Sequence, residues 1–176
     1  MASRGFIELL RLADLAQARL SGRQSGQDYD WRGVVFELGG QRLVAPIGEV
    51  SEVLTMPEYT RMPLAQPWLL GVANVRGRLL PLTDLCKLLS VPSQLPKMNQ
   101  RKVIVIDHHS LFSGLIVDRV LGIEQFTRQQ YCAEPIDIHS PFALYNHGKF
   151  LKDQQDWFIF MPSLLAQDPR YSDAAI

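Results

Sequence analysis

The chain has 176 residues, 47% of them hydrophobic, and its 18 basic side chains balance 18 acidic ones. This length suits one domain or two small subdomains, with ample apolar material for a packed core. Zero net charge argues against a nucleic acid or an anionic membrane as the main partner, and no apolar run approaches the ~20 residues that a membrane span needs.

Residues Gly5–Leu20 predict an amphipathic helix: Phe6, Leu9, Leu10, Ala13, Ala16 and Leu20 share one face at spacings of three and four, with Glu8, Arg11 and Asp14 opposite. The Gly-, Ser- and Gln-rich stretch Ser21–Asp28 reads as a flexible linker. The helix either docks on the main body or engages a partner.

From Trp31 the grammar changes to strands. Val34–Leu38 and Arg42–Ala45 flank Gly39-Gly40 and predict a hairpin. Pro46 opens a predicted short helical turn through Val50 and Val53. Met62-Pro63 and Gln66-Pro67 keep the following stretch extended or turning.

Gly71-Val72-Ala73-Asn74-Val75-Arg76-Gly77-Arg78-Leu79-Leu80-Pro81-Leu82-Thr83-Asp84-Leu85 is the most informative segment. It reads as two apolar strands around an Arg-Gly turn, where Gly77 supplies a positive φ. Thr83 or Asp84 caps a helix over Leu85–Leu89. Ser90–Pro96 is a linker. The pattern then returns. Lys102–Asp107 and Leu111–Val117 predict strands around a turn at His108-His109-Ser110. Trp157–Met161 leads into Pro162–Leu165, much as Leu79–Leu82 leads into Thr83–Leu85. Between them, Ala133–Pro141 is a loop bracketed by two prolines. Each half thus reads as hairpin, irregular middle, apolar strand and short helix. Two related β-rich subdomains, small barrels or a sandwich, follow from this; helices do not separate the strands as a parallel α/β sheet requires.

Chemistry-bearing constellations are weak. Cys86 and Cys132 lie far apart and form no C-x-x-C pair, as in a reduced cytosolic protein, with Cys86 a small core residue. His108, His109, His139 and His147 lack metal-ligand spacing, so no metal site is expected. Ser110, Ser113, His109 and Asp107 share one hairpin without a nucleophile elbow, which leaves a small hydrolase as a minor reading. No phosphate-binding glycine loop occurs, and no cofactor is expected. Arg78 reads as a solvated turn residue. Arg76 sits between apolar strands, where its planar fork either locks two loops together or faces a partner. Glu52 is its candidate countercharge.

The segment Gly71–Leu85 resembles the signature Gly-Val-x-Asn-Leu-Arg-Gly-x-x-x-Pro-x-x-Asp-Leu of the CheW family, adaptors of bacterial chemosensory arrays, with Val75 in place of Leu. Val34–Leu54, including Val50-Ser51-Glu52-Val53, is similar to the family's opening hairpin and its Val-x-Glu-Ile element. Val103–Val120 is similar to its later hairpin, and the likeness runs from about Trp31 to Ala166. The resemblance implies a mainly β fold of two small SH3-like five-stranded barrels with short helices and no catalytic residues. The domains would be 1–28, an N-terminal helix and linker, and 29–170, a CheW-like domain with subdomains at about 31–90 and 101–166. It implies an adaptor between the cytoplasmic tip of methyl-accepting chemoreceptors and the regulatory domain of a CheA-type histidine kinase. It places receptor contact near the groove between the two barrels, where Val50, Glu52, Gly71 and Arg76 match family positions. The protein would be cytoplasmic, held at receptor arrays and touching membrane only through receptors. The Cys132–His147 region, Met161-Pro162-Ser163 and the long N-terminus depart from the family pattern. The extended N-terminus suggests a specialised system, and the chain resembles PilI-type adaptors of pilus-linked chemosensory pathways, which would connect it to twitching motility. The competing reading is a nucleic-acid-binding barrel, which needs a basic groove with exposed aromatics.

Overall fold

Twelve strands fall into two six-stranded sheets in a computed structural model that describes residues 31–134 and 136–174. In chain order the strands are β1 (Trp31–Leu38), β2 (Gln41–Pro46), β3 (Val50–Thr55), β4 (Thr60–Arg61), β5 (Leu69–Val75) and β6 (Arg78–Asp84). Helix α1 (Leu85–Leu88) follows, then β7 (Lys102–His108), β8 (Leu111–Val117), β9 (Arg119–Phe126), β10 (Tyr131–Cys132), β11 (Asn146–Lys152), β12 (Gln155–Phe160) and helix α2 (Pro169–Ser172). Sheet I has the order β10-β11-β12-β2-β1-β9, and sheet II the order β4-β5-β6-β8-β7-β3. The mainly β, two-unit expectation holds. Each sheet has a sixth strand beyond the five expected, because β4 and β10 are two-residue additions at the edges.

The two sheets do not follow the two halves of the chain. Hairpin β1–β2 sits in sheet I beside β9–β12, and hairpin β7–β8 sits in sheet II beside β3–β6. Each half lends its opening hairpin to the other sheet. The junction is parallel both times, with Ile159 opposite Val44 and Leu82 opposite Gly114. A split into self-contained units at about 31–90 and 101–166 is therefore not the division between the sheets.

This exchange explains the continuous apolar runs. Val34 and Phe36 of β1, with Ile104 and Ile106 of β7 and Leu115 and Val117 of β8, form a central layer. The alternate residues turn the other way: Val35 and Val44 enter a cluster with Trp31, Phe126 and Phe150. Val103, Val105 and Ile116 enter one with Ala73, Leu80 and Leu82. Strands buried on both faces lose the alternation of a half-solvated strand.

Local chemistry sets the boundaries. Gly39 and Gly40, with φ of 59° and 82°, supply the backbone that a two-residue hairpin turn demands. Asp84, not Thr83, caps α1 by accepting the Lys87 N–H at 3.3 Å; Thr83 instead meets Ser113 at 3.0 Å between hydroxyls. The helical turn after Pro46 is confined to Ile47–Glu49, and Val50–Thr55 is strand β3. Ladder pairing to β7 from Val50–Ile106 to Thr55–Lys102 overrides the local proline signal. Strands β9 and β11 carry no strong apolar period and escape sequence reading. The predicted N-terminal helix and its linker, residues 1–28, lie outside the described residues.

Buried polar groups join the layers. Arg101 lies 3.2 Å from Asp84 and 3.8 Å from Asp118. Asp118 also accepts from the Gly39 N–H at 3.0 Å, the Gln94 N–H at 3.1 Å and the Ser93 hydroxyl. The linker after α1 is thereby tied to a hairpin turn of sheet I. Glu49, buried, accepts from the N–H and hydroxyl of Ser163 at 2.9 and 2.8 Å, bridging the two sheet connections. Such carboxylates keep their burial only because donors replace water.

Candidate functional site

The Arg-Gly turn between β5 and β6 is closed by Val75 opposite Arg78. Arg76 and Gly77 have φ of 51° and 79°, and the Asn74 side chain accepts the Gly77 N–H at 3.0 Å. Glycine enters that region freely, whereas a non-glycine residue there costs roughly 1 kcal/mol or more. Arg76 is held in it at the tip of the hairpin.

From that tip the Arg76 guanidinium reaches across to β3, where its Nη2 lies 2.9 Å from Oε2 of Glu52. The Arg76 side chain stays 80% exposed and that of Glu52 21% exposed. The countercharge expected for Arg76 is therefore Glu52. The arginine locks two segments and still shows most of its donors to solvent.

A cleft of about 230 Å³ opens beside the pair, lined by Ser51, Glu52, Val75, Arg76, Arg78, Leu80, Val105, Asp107 and Phe112. Its floor is the fully buried Leu80 and the nearly buried Val105. Arg78, read from sequence as a solvated turn residue, is fixed in place. Its Nη1 donates to Oδ2 of Asp107 at 2.6 Å, and its guanidinium lies 3.9 Å from the centroid of the Phe112 ring. Asp107 and Phe112 face each other on hairpin β7–β8, the hairpin lent by the second half. The cleft thus joins β3, the β5–β6 hairpin and β7–β8 under two paired arginines. Sequence reading missed Asp107 and Phe112 as site residues, because their nearness to Arg78 depends on the hairpin exchange.

The other two predicted site residues stand differently. Val50 is half-buried and packs against the central layer. Gly71 is buried beneath β4: a Cβ there would lie 2.1 Å from the carbonyl oxygen of Thr60. Glu52 and Arg76 are brought together in the cleft; Gly71 and Val50 build the frame behind it.

The minor hydrolase reading loses its geometry. Asp107 is engaged by Arg78, and Ser113 is buried against Thr83 and the Pro81 carbonyl. The rings of His108 and His109 lie 3.9 Å apart, tilted by 43°, with Nδ1 of His108 against the Ser110 hydroxyl at 2.9 Å. Burial, then the charges of Asp118 and Asp84, push the Cys86 thiol up to about 12, so it is an inert core group. Among the described residues no three His, Cys, Asp or Glu side chains converge to hold a metal ion, and no helix is long and apolar enough to cross a membrane.

Two mutually threaded β units carry an arginine-bearing hairpin tip beside a cleft lined by both charged and apolar side chains. The model of the CheW-like domain matches residues 32–168, and the chain belongs to that family. It is 42% identical over 146 residues to protein PilI of Pseudomonas aeruginosa, covering 83% of this chain and 81% of that one. It is 32% identical over 95 residues to chemotaxis protein CheW of Thermotoga maritima, covering 54% and 62% respectively. A crystal structure of the scaffolding protein TtCheW from Thermoanaerobacter tengcongensis superposes with a TM-score of 0.66 at 22% identity, over 75% of this chain and 89% of that one. That last likeness establishes the fold. CheW-like proteins are scaffold adaptors rather than enzymes, and these relatives lend no support to a nucleic-acid-binding barrel.

Proposed function

We propose that this protein is a non-catalytic adaptor of a bacterial chemosensory pathway. It couples the cytoplasmic tip of methyl-accepting receptors to the regulatory domain of a CheA-type histidine kinase. The similarity to PilI over most of both chains supports a pathway governing pilus-driven twitching motility. The observation that carries the reading is the family's hairpin signature with Arg76 at its turn, anchored to Glu52 yet mostly exposed.

In this reading Arg76 and Glu52 touch the receptor directly. Gly71 and Val50 act by shaping the hairpin and strand behind them. Contacts near or below about 800 Å² per partner are individually weak, and repetition in an array turns them into stable assembly. Membrane association then comes through receptors alone.

The test is co-sedimentation with a receptor cytoplasmic fragment, alongside receptor-dependent stimulation of kinase autophosphorylation. Arg76→Ala should weaken receptor binding at least about tenfold, the range for losing a charged interface anchor, while circular dichroism and binding to the kinase regulatory domain stay unchanged. A folded Arg76→Ala protein that binds receptor and stimulates kinase like the parent would overturn the site.

A further inference from the structure

The cleft of sheet II carries a second arginine at its mouth. Arg78 opens β6 opposite Val75, with only Gly77 between it and Arg76 in the chain. Its Nη1 donates to Asp107 at 2.6 Å, and its guanidinium lies 3.9 Å from the centre of the Phe112 ring. A carboxylate at one edge and an aromatic face beneath fix the plane of a long side chain that would otherwise be free to turn.

Folding does not account for this restraint. The side chains of Arg78 and Asp107 are 57% and 42% exposed, and an ion pair so solvated adds little to stability. What the pair does is aim the remaining donors. Asp107 occupies Nη1, whereas among the described residues Nε and Nη2 of Arg78 donate to nothing. That edge offers parallel N–H groups, the pattern that a carboxylate accepts in two places at once.

The mouth of the cleft is also uneven in sign. Both guanidinium side chains are more exposed than the carboxylates that hold them, 80% against 21% for Arg76 and Glu52, and 57% against 42% for Arg78 and Asp107. A body entering the cleft therefore meets donors ahead of acceptors, which favours an acid over a base. The two arginines are separate contacts. Glu52 stands opposite Val105 on the β3–β7 ladder, and Asp107 lies two residues further along β7, so the two anchors are about 7 Å apart along the strand.

We infer that Arg78 receives a carboxylate side chain of the receptor, beside the contact made by Arg76. This rests on Arg76 and Glu52 touching the receptor. Phe112 and Asp107 are positioning residues that hold the fork ready. Arg78 then sets specificity, because a receptor with a basic side chain at that point meets a like charge that cannot move aside.

Co-sedimentation with the receptor cytoplasmic fragment tests this. Arg78→Gln should weaken binding about tenfold, the range for losing a charged hydrogen bond, with circular dichroism and binding to the kinase regulatory domain unchanged. Receptor fragments in which each Asp or Glu of the tip is changed singly to Asn or Gln identify the partner. One of them should weaken the parent protein as much as Arg78→Gln does and have no further effect on the Arg78→Gln protein. Phe112→Leu should shrink that coupling, which a merely structural role of the ring would leave alone. If Arg78→Gln binds receptor like the parent while Arg76→Ala does not, the inference falls and the receptor site stands. If neither substitution changes binding, the receptor site falls and takes the inference with it. Weakened binding that couples to no receptor carboxylate, or that extends equally to the kinase domain, also overturns the inference.

Discussion

Sheet I and sheet II share one strand order, yet they are filled differently. The interior of sheet I is aromatic: the Phe150 ring centre lies 4.5 Å from that of Phe126 and 5.0 Å from that of Trp31, with Tyr131 against its edge. The interior of sheet II is aliphatic, built on Ala73, Leu80, Leu82, Val103, Val105 and Ile116. The frames match closely even so. Strands β5 and β11 show the same burial pattern residue for residue, and Gly71 and Gly148 are the third residue of each. At both glycines a Cβ would strike a carbonyl of the short neighbouring strand, that of Thr60 or of Cys132. What differs is the rim. The position in sheet I that matches Glu52, opposite the inward valine of the lent hairpin, is Gly122, and the one that matches Arg76 is Asp153. Topology therefore repeats, and the arginine–glutamate site is confined to sheet II.

The sharpest way to break the comparison is at the matched glycines. At Gly71 the obstructing atom is backbone oxygen at 2.1 Å, with the Thr60 carbon at 2.9 Å and the Arg61 Cα at 3.1 Å. Nothing flexible can give way. Gly71→Ala should lose about 3 kcal/mol of stability by chemical denaturation, with receptor binding falling only in proportion to the unfolded fraction. If Gly71→Ala were as stable as the parent yet failed to bind receptor, glycine there would be a contact residue and not part of the frame.

The next effect lies at the diagonal pairs. In sheet I glycine is on the first strand of the lent hairpin and valine on the second, Gly33 and Val44. In sheet II the order is reversed, Val103 and Gly114. A Cβ at Gly33 would lie 2.3 Å from a Val44 methyl but also 2.8 Å from the Ala45 carbonyl. For one at Gly114 the three nearest atoms are all side-chain ends, of Val103, Leu80 and Leu82, at 2.8 to 3.0 Å. Gly33→Ala should thus cost about 2 kcal/mol and Gly114→Ala nearer 1 kcal/mol. Combining Gly33→Ala with Val44→Ala should recover about 1 kcal/mol relative to the sum of the single changes. Strict additivity in a double-mutant cycle would mean that the two side chains do not compete for the same space.

These equivalences show why the chain was only partly readable. The lent hairpins were legible because burial on both faces forces long apolar runs, as in Val103–Ile106. The Arg76 turn was legible because a two-residue hairpin turn needs positive φ, which Gly77 announces. Strands β9 and β11 were not: the edge strand β9, with Arg119, Glu124 and Gln125, and β11, with Asn146, His147 and two lysines, have no apolar period to detect. The exchange of hairpins left no local mark at all. It is a choice of pairing partner between distant strands, and it alone brings Asp107 and Phe112 to Arg78. A third of the cleft lining, Val105, Asp107 and Phe112, was therefore invisible to any reading that treated the two halves as separate barrels.

Alkaline pH probes the central layer that both sheets share. Burial, together with Asp118 and Asp84, lifts the Cys86 thiol from 9.0 to about 12. Burial and the Asp168 hydrogen bond lift the Tyr145 hydroxyl from 10.0 to about 12. Both groups stay neutral in the folded protein when the unfolded chain has begun to ionise. Their contribution is complete below the unfolded values and is lost as pH rises through 12. Each group should remove up to about 1.4 kcal/mol per pH unit above its unfolded value. Between pH 9 and 12, Cys86→Ala should flatten the fall of stability, whatever its offset at neutral pH; an unchanged slope would place the alkaline sensitivity elsewhere.

The smallest expected change in stability separates the two rims most cleanly. Sheet I joins its closing strand to its far hairpin through Lys152, whose Nζ lies 2.6 Å from Oε2 of Glu124 and 3.0 Å from the Gln125 carbonyl. Sheet II does so through Arg76 and Glu52. Both pairs are partly solvated, so each is worth about 0 to 1 kcal/mol and less in salt. As latches they are interchangeable; as surfaces they are not. The Lys152 side chain is 25% exposed and spends its donors within the sheet, whereas that of Arg76 is 80% exposed and keeps donors free for a partner. Lys152→Ala and Arg76→Ala should therefore lower the midpoint of thermal unfolding by a similar few degrees at most, while only Arg76→Ala loses receptor coupling. Equal loss of coupling in both variants would make barrel closure, rather than the arginine's exposed fork, the property that the receptor reads.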